Sequence, residues 1–227
     1  DSNDSDQTTV PNWPDTPGDL GPFPDNGYDG NLSSMEQFVL DVFTEDDEIV
    51  SVEMSLWLVH GAVGEVFVKL ESPSDTLITV INRPGGGEES GDAVGATGNN
   101  SNFGPEPPDG PIELLFYDGA AVSAEQIGVG LTGSEVVGVD GGSPTDYHPA
   151  PDGSADSGGF AAFIGEDPNG LWTLHLADTA LTYMGGGQGG DLYRWQLRIE
   201  TIPEPVTLGL VALGGAALAA RRRSRRG

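Results

Sequence analysis

PNGLWTLHLAD (residues 168–178) and GDLYRWQLRI (residues 190–199) are two segments near the end of the chain in which apolar and polar residues alternate. Side chains alternate across a strand, so each segment presents one apolar face. The apolar faces are Trp172, Leu174 and Leu176 in the first segment, and Tyr193, Trp195, Leu197 and Ile199 in the second. We therefore predict a half-buried antiparallel hairpin with Trp172 and Trp195 in the core.

The two segments resemble the closing hairpin of the P domain of proprotein convertases, the β-sandwich that follows the protease in kexin- and furin-like subtilases. The family pattern is roughly PNG-x-W-x-L-x-V-x-D, a glycine-rich loop, and then G-x-L-x-x-W-x-L-x-I. Trp172, Asp178 and Trp195 fall in register with that pattern.

A central block, residues 60–85, is also similar to the P domain. His60, Gly64, the Ser72–Thr76 turn and the Asn82–Gly85 turn match the family pattern L-x-x-H-x-x-x-G-D-L-x-x-x-L-x-S-P-x-G-T and its following N-R-P-G-like turn. The sequence departs from that pattern at Glu65, where the family usually has Asp, and at Asp75, where a turn Gly is common. The resemblance covers roughly residues 37–201.

Short alternating segments separated by turn clusters continue upstream, as in residues 37–44, 48–59, 66–70 and 76–81. About eight or nine strands can be counted in residues 37–201, a pattern typical of an all-β fold. We predict a jelly-roll-like antiparallel β-sandwich.

Residues 1–36 are rich in Asp, Asn, Pro and Gly. With so little apolar surface we expect them to form a disordered acidic linker. The chain begins at Asp1 without an apolar signal segment, so we expect a processed or trimmed form.

Charge is distributed unevenly along the chain. Residues 1–200 contain 35 acidic side chains and four basic ones, Lys69, Arg83, Arg194 and Arg198. This excess of acidic side chains in residues 1–200 repels phosphates and anionic lipids, which argues against nucleic-acid binding. The chain has no Cys, which excludes disulfides and Cys-ligated zinc.

Residues 202–227 break the β pattern. Pro203, Glu204 and Pro205 precede fifteen small or apolar residues, 206–220, and a cluster of five arginines that begins with Arg221, Arg222 and Arg223. As a helix the apolar run spans about 22 Å, less than the roughly 30 Å hydrocarbon core. This order resembles the PEP-CTERM sorting signal, which implies transient contact with the inner membrane and an exosortase. A permanent hydrophobic anchor helix is the alternative.

The sequence offers carboxylates rather than a catalytic motif. It has three histidines without metal-ligand spacing and no G-x-S-x-G elbow. Calcium prefers oxygen ligands from loops, and the P-domain resemblance implies a structural calcium ion. The candidate ligands are Glu65, Asp75, Asp118 and Asp178, although each Asp is also explained as a turn or cap residue.

We therefore expect a non-catalytic exported protein with a structural or adhesive function in the cell envelope or extracellular matrix. Extracellular polysaccharide or surface proteins are the expected partners. One alternative is a calcium-stabilised glycan- or protein-binding module, which an exposed aromatic platform at Trp57 or Tyr147 would favour. A second is the accessory domain of a subtilisin-like protease.

Overall fold

The computed structural model describes residues 7–11, 20–23, 28, 30–45, 48–84, 101–104, 111–132, 135–149, 158–179 and 190–202. Within these ranges the fold is all-β, with four short 3-10 turns and no α-helix. The strands are β1 (Gln7–Pro11), β2 (Gly21–Pro22), β3 (Glu36–Val42), β4 (Glu48–Val59), β5 (Val66–Glu71), β6 (Leu77–Asn82), β7 (Asn102–Phe103), β8 (Glu113–Phe116), β9 (Val136–Val137), β10 (Asp146–Tyr147), β11 (Gly170–Asp178) and β12 (Asp191–Ile202).

The strands form two main sheets, both mostly antiparallel. One sheet has the order β1-β12-β4-β8-β10, with β2 also pairing with β12, and the other has the order β3-β11-β5-β6. A short parallel pair, β7-β9, lies apart from them. The apolar side chains of both main sheets contribute to a single hydrophobic core.

The predicted hairpin of β11 and β12 is wrong, because the two strands belong to different sheets. β11 pairs with β3 on one edge and with β5 on the other, so neither edge is left for β12. β12 pairs with β4 on one edge and with β1 and β2 on the other. Trp172 and Trp195 are nevertheless both fully buried in the shared core, as predicted.

The predicted faces of the strands are confirmed with one exception. The core includes Phe38, Leu40 and Val42 of β3, Val52, Met54, Leu56 and Leu58 of β4, and Val66, Val68 and Leu70 of β5. In β12 the register shifts between Leu192 and Arg194. This irregularity reverses the alternation, so Leu192 is buried in the core and Tyr193 is only half-buried, contrary to the prediction.

Parts of residues 1–36 are ordered, in contrast to the disordered linker expected from their composition. β1 and β2 both pair with β12. Phe23 is fully buried in the core, while Tyr28 and Met35 pack with Phe67 and Ala177 on the outer face of the four-stranded sheet. A few apolar side chains, together with backbone pairing to β12, thus fix this polar segment.

Gly190 is needed where this N-terminal segment meets β12. The Phe23 amide donates a 2.9 Å hydrogen bond to the Gly190 carbonyl. A Cβ atom at residue 190 would lie 2.2 Å from Cζ of Phe23 and 2.6 Å from the carbonyl oxygen of Val59. A residue without a side chain is therefore required for Phe23 to reach the core.

The predicted C-terminal helix, within residues 206–220, lies outside the described residues. In the part of the chain that the structure describes, no helix has the length and apolar character needed to cross a membrane.

Candidate functional site

A buried polar cluster lies where the ends of β4 and β11 approach each other. His60 follows β4, Glu65 belongs to the 3-10 turn Val63–Glu65, and Asp178 ends β11. One potential ligand atom from each residue lies within 4.8 Å of the other two, and in the described residues this is the one such group of three. All three residues are at most 5% exposed.

His60 is held on both ring nitrogens. Its Nε2 atom lies 3.0 Å from Oδ2 of Asp178, and its Nδ1 atom lies 2.8 Å from the carbonyl oxygen and 3.0 Å from the amide nitrogen of Ala62. A ring protonated at Nε2 donates to Asp178 and accepts from the Ala62 amide, whereas a ring protonated at Nδ1 donates to the Ala62 carbonyl. The ring of Phe23 stacks on the imidazole with centroids 5.5 Å apart, so the N-terminal segment covers the histidine.

Glu65 joins the cluster to the end of β11 through its backbone. The amide and the hydroxyl of Thr179 donate hydrogen bonds of 2.9 and 3.0 Å to the Glu65 carbonyl oxygen. The cluster thus ties a 3-10 turn, two strand ends and the N-terminal segment together. Its three side chains are buried among the described residues, as in a structural hydrogen-bond network.

The four predicted calcium ligands do not meet at one place. Only Glu65 and Asp178 are neighbours. Asp75 lies in an exposed turn with a φ of 62°. Asp118 accepts hydrogen bonds from the amides of Phe160 (2.9 Å) and Ala161 (2.7 Å), and so caps the 3-10 turn Phe160–Phe163.

The donor set of the buried cluster also differs from the one that calcium prefers. Calcium takes six to eight oxygen ligands, whereas the cluster supplies an imidazole and two carboxylates, one of them already bonded to that imidazole. A calcium ion held by Glu65, Asp75, Asp118 and Asp178 stays a prediction. The geometry gives Asp118 a capping role.

A polar furrow crosses the outer face of the six-stranded sheet. A depression of about 300 Å³ lies over β12, β4 and β8, and its lining consists of Glu53, Ser55, Glu113, Leu115, Gln196 and Arg198. A second depression of about 190 Å³ shares Glu53 with the first and is bounded by Ser51, Tyr117, Asp118 and the turn after Gly159. The two depressions adjoin at Glu53 and are together called the furrow, although the second is also lined by the apolar residues Val52, Phe160, Ala161 and Ile164.

Neighbouring side chains in the furrow are joined by hydrogen bonds. Ser55 donates to Glu113 at 2.8 Å, and Arg194 donates to Gln196 at 2.8 Å. Arg198 and Glu53 form a longer, partly exposed ion pair at 3.4 Å. Donors and acceptors therefore alternate across adjacent strands.

Of the two aromatic residues proposed as a platform, only Trp57 borders this face. Its ring is half-buried and lies 4.5 Å from the guanidinium carbon of Arg194, which pairs with it across β12 and β4. Tyr147 is fully buried, and its hydroxyl donates to the Pro144 carbonyl at 2.5 Å. Burial, with a contribution from Asp146, raises the pKa of the Tyr147 phenol. Tyr147 is thus excluded from any surface platform.

The furrow collects the accessible positive charge of residues 1–200. Lys69 and Arg83 are only 3% and 2% exposed. The two remaining basic residues, Arg194 and Arg198, both lie on the outer face of β12. The sequence showed the outward positions of β4, but it did not show that β12 lies beside β4, so the furrow could not be predicted.

The solved structures that resemble this chain include two crystal structures of a bacterial serine protease. The serine protease of Aeromonas sobria aligns over 86% of this chain and 26% of its own, with 13% identity and a TM-score of 0.43. Its complex with the chaperone ORF2 aligns over the same fractions, with 15% identity and a TM-score of 0.42. The chain thus spans about a quarter of the length of these protease chains. At TM-scores below 0.5, the similarity does not indicate a shared function. No curated protein matches the chain.

A family model matches the end of the chain. Residues 201–223 match the PEP-CTERM protein-sorting motif. The match contains Pro203, Glu204 and Pro205, the apolar run and the first three arginines of the basic cluster. The chain therefore carries a PEP-CTERM sorting motif that begins within the final two residues of β12, the last strand of the described residues.

Proposed function

We propose that this chain is an exported, non-catalytic protein that an exosortase delivers to the cell envelope or extracellular matrix, where it is structural or adhesive. Its ordered part is a jelly-roll-like β-sandwich that presents one sheet face to the surroundings. The observation that carries the proposal is the PEP-CTERM motif at residues 201–223.

The position of the motif supports a processing step. β12 ends at Ile202, so the strand is complete before Pro203 and Pro205. Proline cannot donate a ladder hydrogen bond and disfavours helix at the preceding residue, so from the sequence we expect an extended junction. Removal of the segment after Pro205 would leave every described strand intact.

The burial of the His60–Asp178 pair and of His175 supports a non-catalytic role. His60 and Asp178 have the hydrogen bond of a catalytic dyad, but they are 5% and 2% exposed and lie beneath Phe23. His175 is 1% exposed and bonds to Glu71 at 2.8 Å. A general base must come within hydrogen-bond reach of substrate, and the burial of these side chains disfavours such contact.

The test is the C-terminus of the protein in cells with and without exosortase. We expect mass spectrometry of surface or matrix protein to find the arginine cluster removed in exosortase-positive cells and retained in cells that lack the enzyme. Glu204→Ala should impair removal, whereas Glu36→Ala, at an exposed position of β3, should not. An intact arginine-rich C-terminus on matrix-associated protein from exosortase-positive cells would replace the sorting function with a permanent anchor.

A further inference from the structure

We propose that the furrow on the outer face of the six-stranded sheet binds a neutral, extended polysaccharide. The inference rests on the proposed extracellular location, and it names the ligand class behind the proposed adhesion. It is carried by the shape, the lining and the charge of the furrow.

The furrow is long and open. Its floor follows β4 from Ser51 to Ser55, which at roughly 3.3 Å per residue is about 13 Å, and Trp57 lies one outward position beyond it. Because it has no enclosing wall, a compact ligand would remain largely in water, whereas an extended polymer can lie along the whole floor. Binding spread over several repeating units compensates for weak contacts at each unit.

The lining suits groups that both donate and accept hydrogen bonds. The carboxylates of Glu53 and Glu113 accept, the guanidinium of Arg198 donates, and Gln196 and Ser55 do both. A sugar hydroxyl also does both, so a polyhydroxylated chain can add hydrogen bonds to those that already join these side chains. A protein partner would need a more apolar centre, since the buried centre of protein interfaces is depleted in charge.

An aromatic residue borders each end of the furrow. Trp57 follows Ser55 on the outer face of β4 and pairs with Glu113 of β8. Tyr117 lines the opposite end, beside Asp118. The face of an aromatic ring is electron-rich, so it attracts the slightly positive C–H groups on one side of a sugar ring. This apolar contact supplements the polar contacts between the two ends.

The charges favour an uncharged polymer. The furrow is lined by the carboxylates of Glu53, Glu113 and Asp118 and by one guanidinium, that of Arg198, so the lining itself carries an excess of negative charge. Around it, residues 1–200 carry 35 acidic side chains, which repel an anionic polymer before contact. A neutral polysaccharide is not repelled by these charges.

The experiment measures binding of the full chain, in a non-ionic detergent without a sugar headgroup, to immobilised hydroxyethyl cellulose, galactomannan and dextran. Alginate, which carries carboxylates, is the acidic comparison. We expect saturable binding to at least one neutral polymer, with an affinity nearly equal in about 0.1 M and about 1 M salt, where the Debye lengths are about 10 and 3 Å.

Two variants test whether the furrow is the site. Trp57→Ala and Gln196→Ala should each weaken binding about five- to tenfold. The matched controls lie outside the furrow: Phe43→Ala removes an aromatic side chain that is 84% exposed, and Gln37→Ala removes an exposed amide of β3. Both controls should bind like the unmodified chain.

The proposal is overturned by absence of binding to all three neutral polymers, by salt-sensitive binding to alginate alone, or by equal losses in the furrow and control variants. The Gln196→Ala variant keeps the test valid if Trp57→Ala unfolds the chain. None of these results bears on processing by exosortase, so the proposed function and this inference fail separately.

Discussion

The outer faces of the two sheets differ in what lies on them. The four-stranded sheet is covered in part by residues 28–35, where Tyr28 packs on Phe67 with ring centroids 5.0 Å apart. The six-stranded sheet instead presents a furrow with charged and polar side chains. Both sheets contribute their inner faces to the same core.

Polar residues on the covered face are buried in spite of their chemistry. Lys69 and His175 pair across β5 and β11, and they are 3% and 1% exposed. The Lys69 amine lies 5.2 Å from the centroid of the Phe67 ring. On the open face, Arg198 keeps a side chain that is 48% exposed. Burial on an outer face therefore depends on the segment that lies on it.

The largest expected effect tests the shared core. Trp172→Ala and Trp195→Ala should each lower the free energy of unfolding by about 3–5 kcal/mol, measured by chemical denaturation. Each tryptophan is fully buried and comes from a different sheet. A small loss for one of them would mean that its sheet contributes little to the core.

Replacement by Phe separates packing from hydrogen bonding in these two residues. The Trp172 indole donates to the Pro168 carbonyl at 2.9 Å, whereas Nε1 of Trp195 is buried without a hydrogen-bond partner. Trp172→Phe should therefore cost more than Trp195→Phe, by about 1 kcal/mol.

The next effect compares an aromatic residue on each outer face. Tyr28→Ala should lower the free energy of unfolding by about 2–4 kcal/mol, because it removes a ring that is 4% exposed and uncovers Phe67. Trp57→Ala should cost about 1 kcal/mol or less, because its half-buried ring remains in contact with water. Equal losses in denaturation experiments would contradict the distinction between a covered and an open face.

The strands and their core faces follow from the sequence because alternation with period two is local. β3, β4 and β5 show it without interruption, and their predicted faces are confirmed. The local signal fails at Tyr193, where the register of β12 shifts by one residue. An irregularity in one strand depends on its partner strands, so it is not visible in that strand alone.

The pairing of the strands and the covering of one sheet by the N-terminal segment could not be predicted. Both depend on contacts between residues that are distant in sequence. Two strands that are adjacent in sequence and both half-apolar suggest a hairpin, yet β11 and β12 belong to opposite sheets. The same reason applies to the sites. His60 meets Asp178 across 118 residues of sequence, and the furrow exists only because β12 lies beside β4.

The smallest expected effect compares an ion pair on each outer face. On the covered face, Glu71 bonds to Nε2 of His175 at 2.8 Å. The other ring nitrogen, Nδ1, is buried without a hydrogen-bond partner in the described structure. Glu71→Ala should therefore lower the free energy of unfolding by about 1–3 kcal/mol, the cost of a buried polar group left unpaired.

On the open face, Glu53→Ala is the matched change. Its partner Arg198 is 48% exposed and 3.4 Å away, so water replaces the lost contact and the change should stay within about 1 kcal/mol. The two losses should also differ in their response to salt. Salt screens exposed charges more than covered ones, and the His175 side chain is 2% exposed whereas that of Arg198 is 48% exposed. Raising the salt concentration should therefore shrink the Glu53→Ala effect more than the Glu71→Ala effect. Denaturation of both variants at low and high salt measures this difference. An equal salt response would show that the contact on the covered face is as exposed to solvent as the contact on the open face.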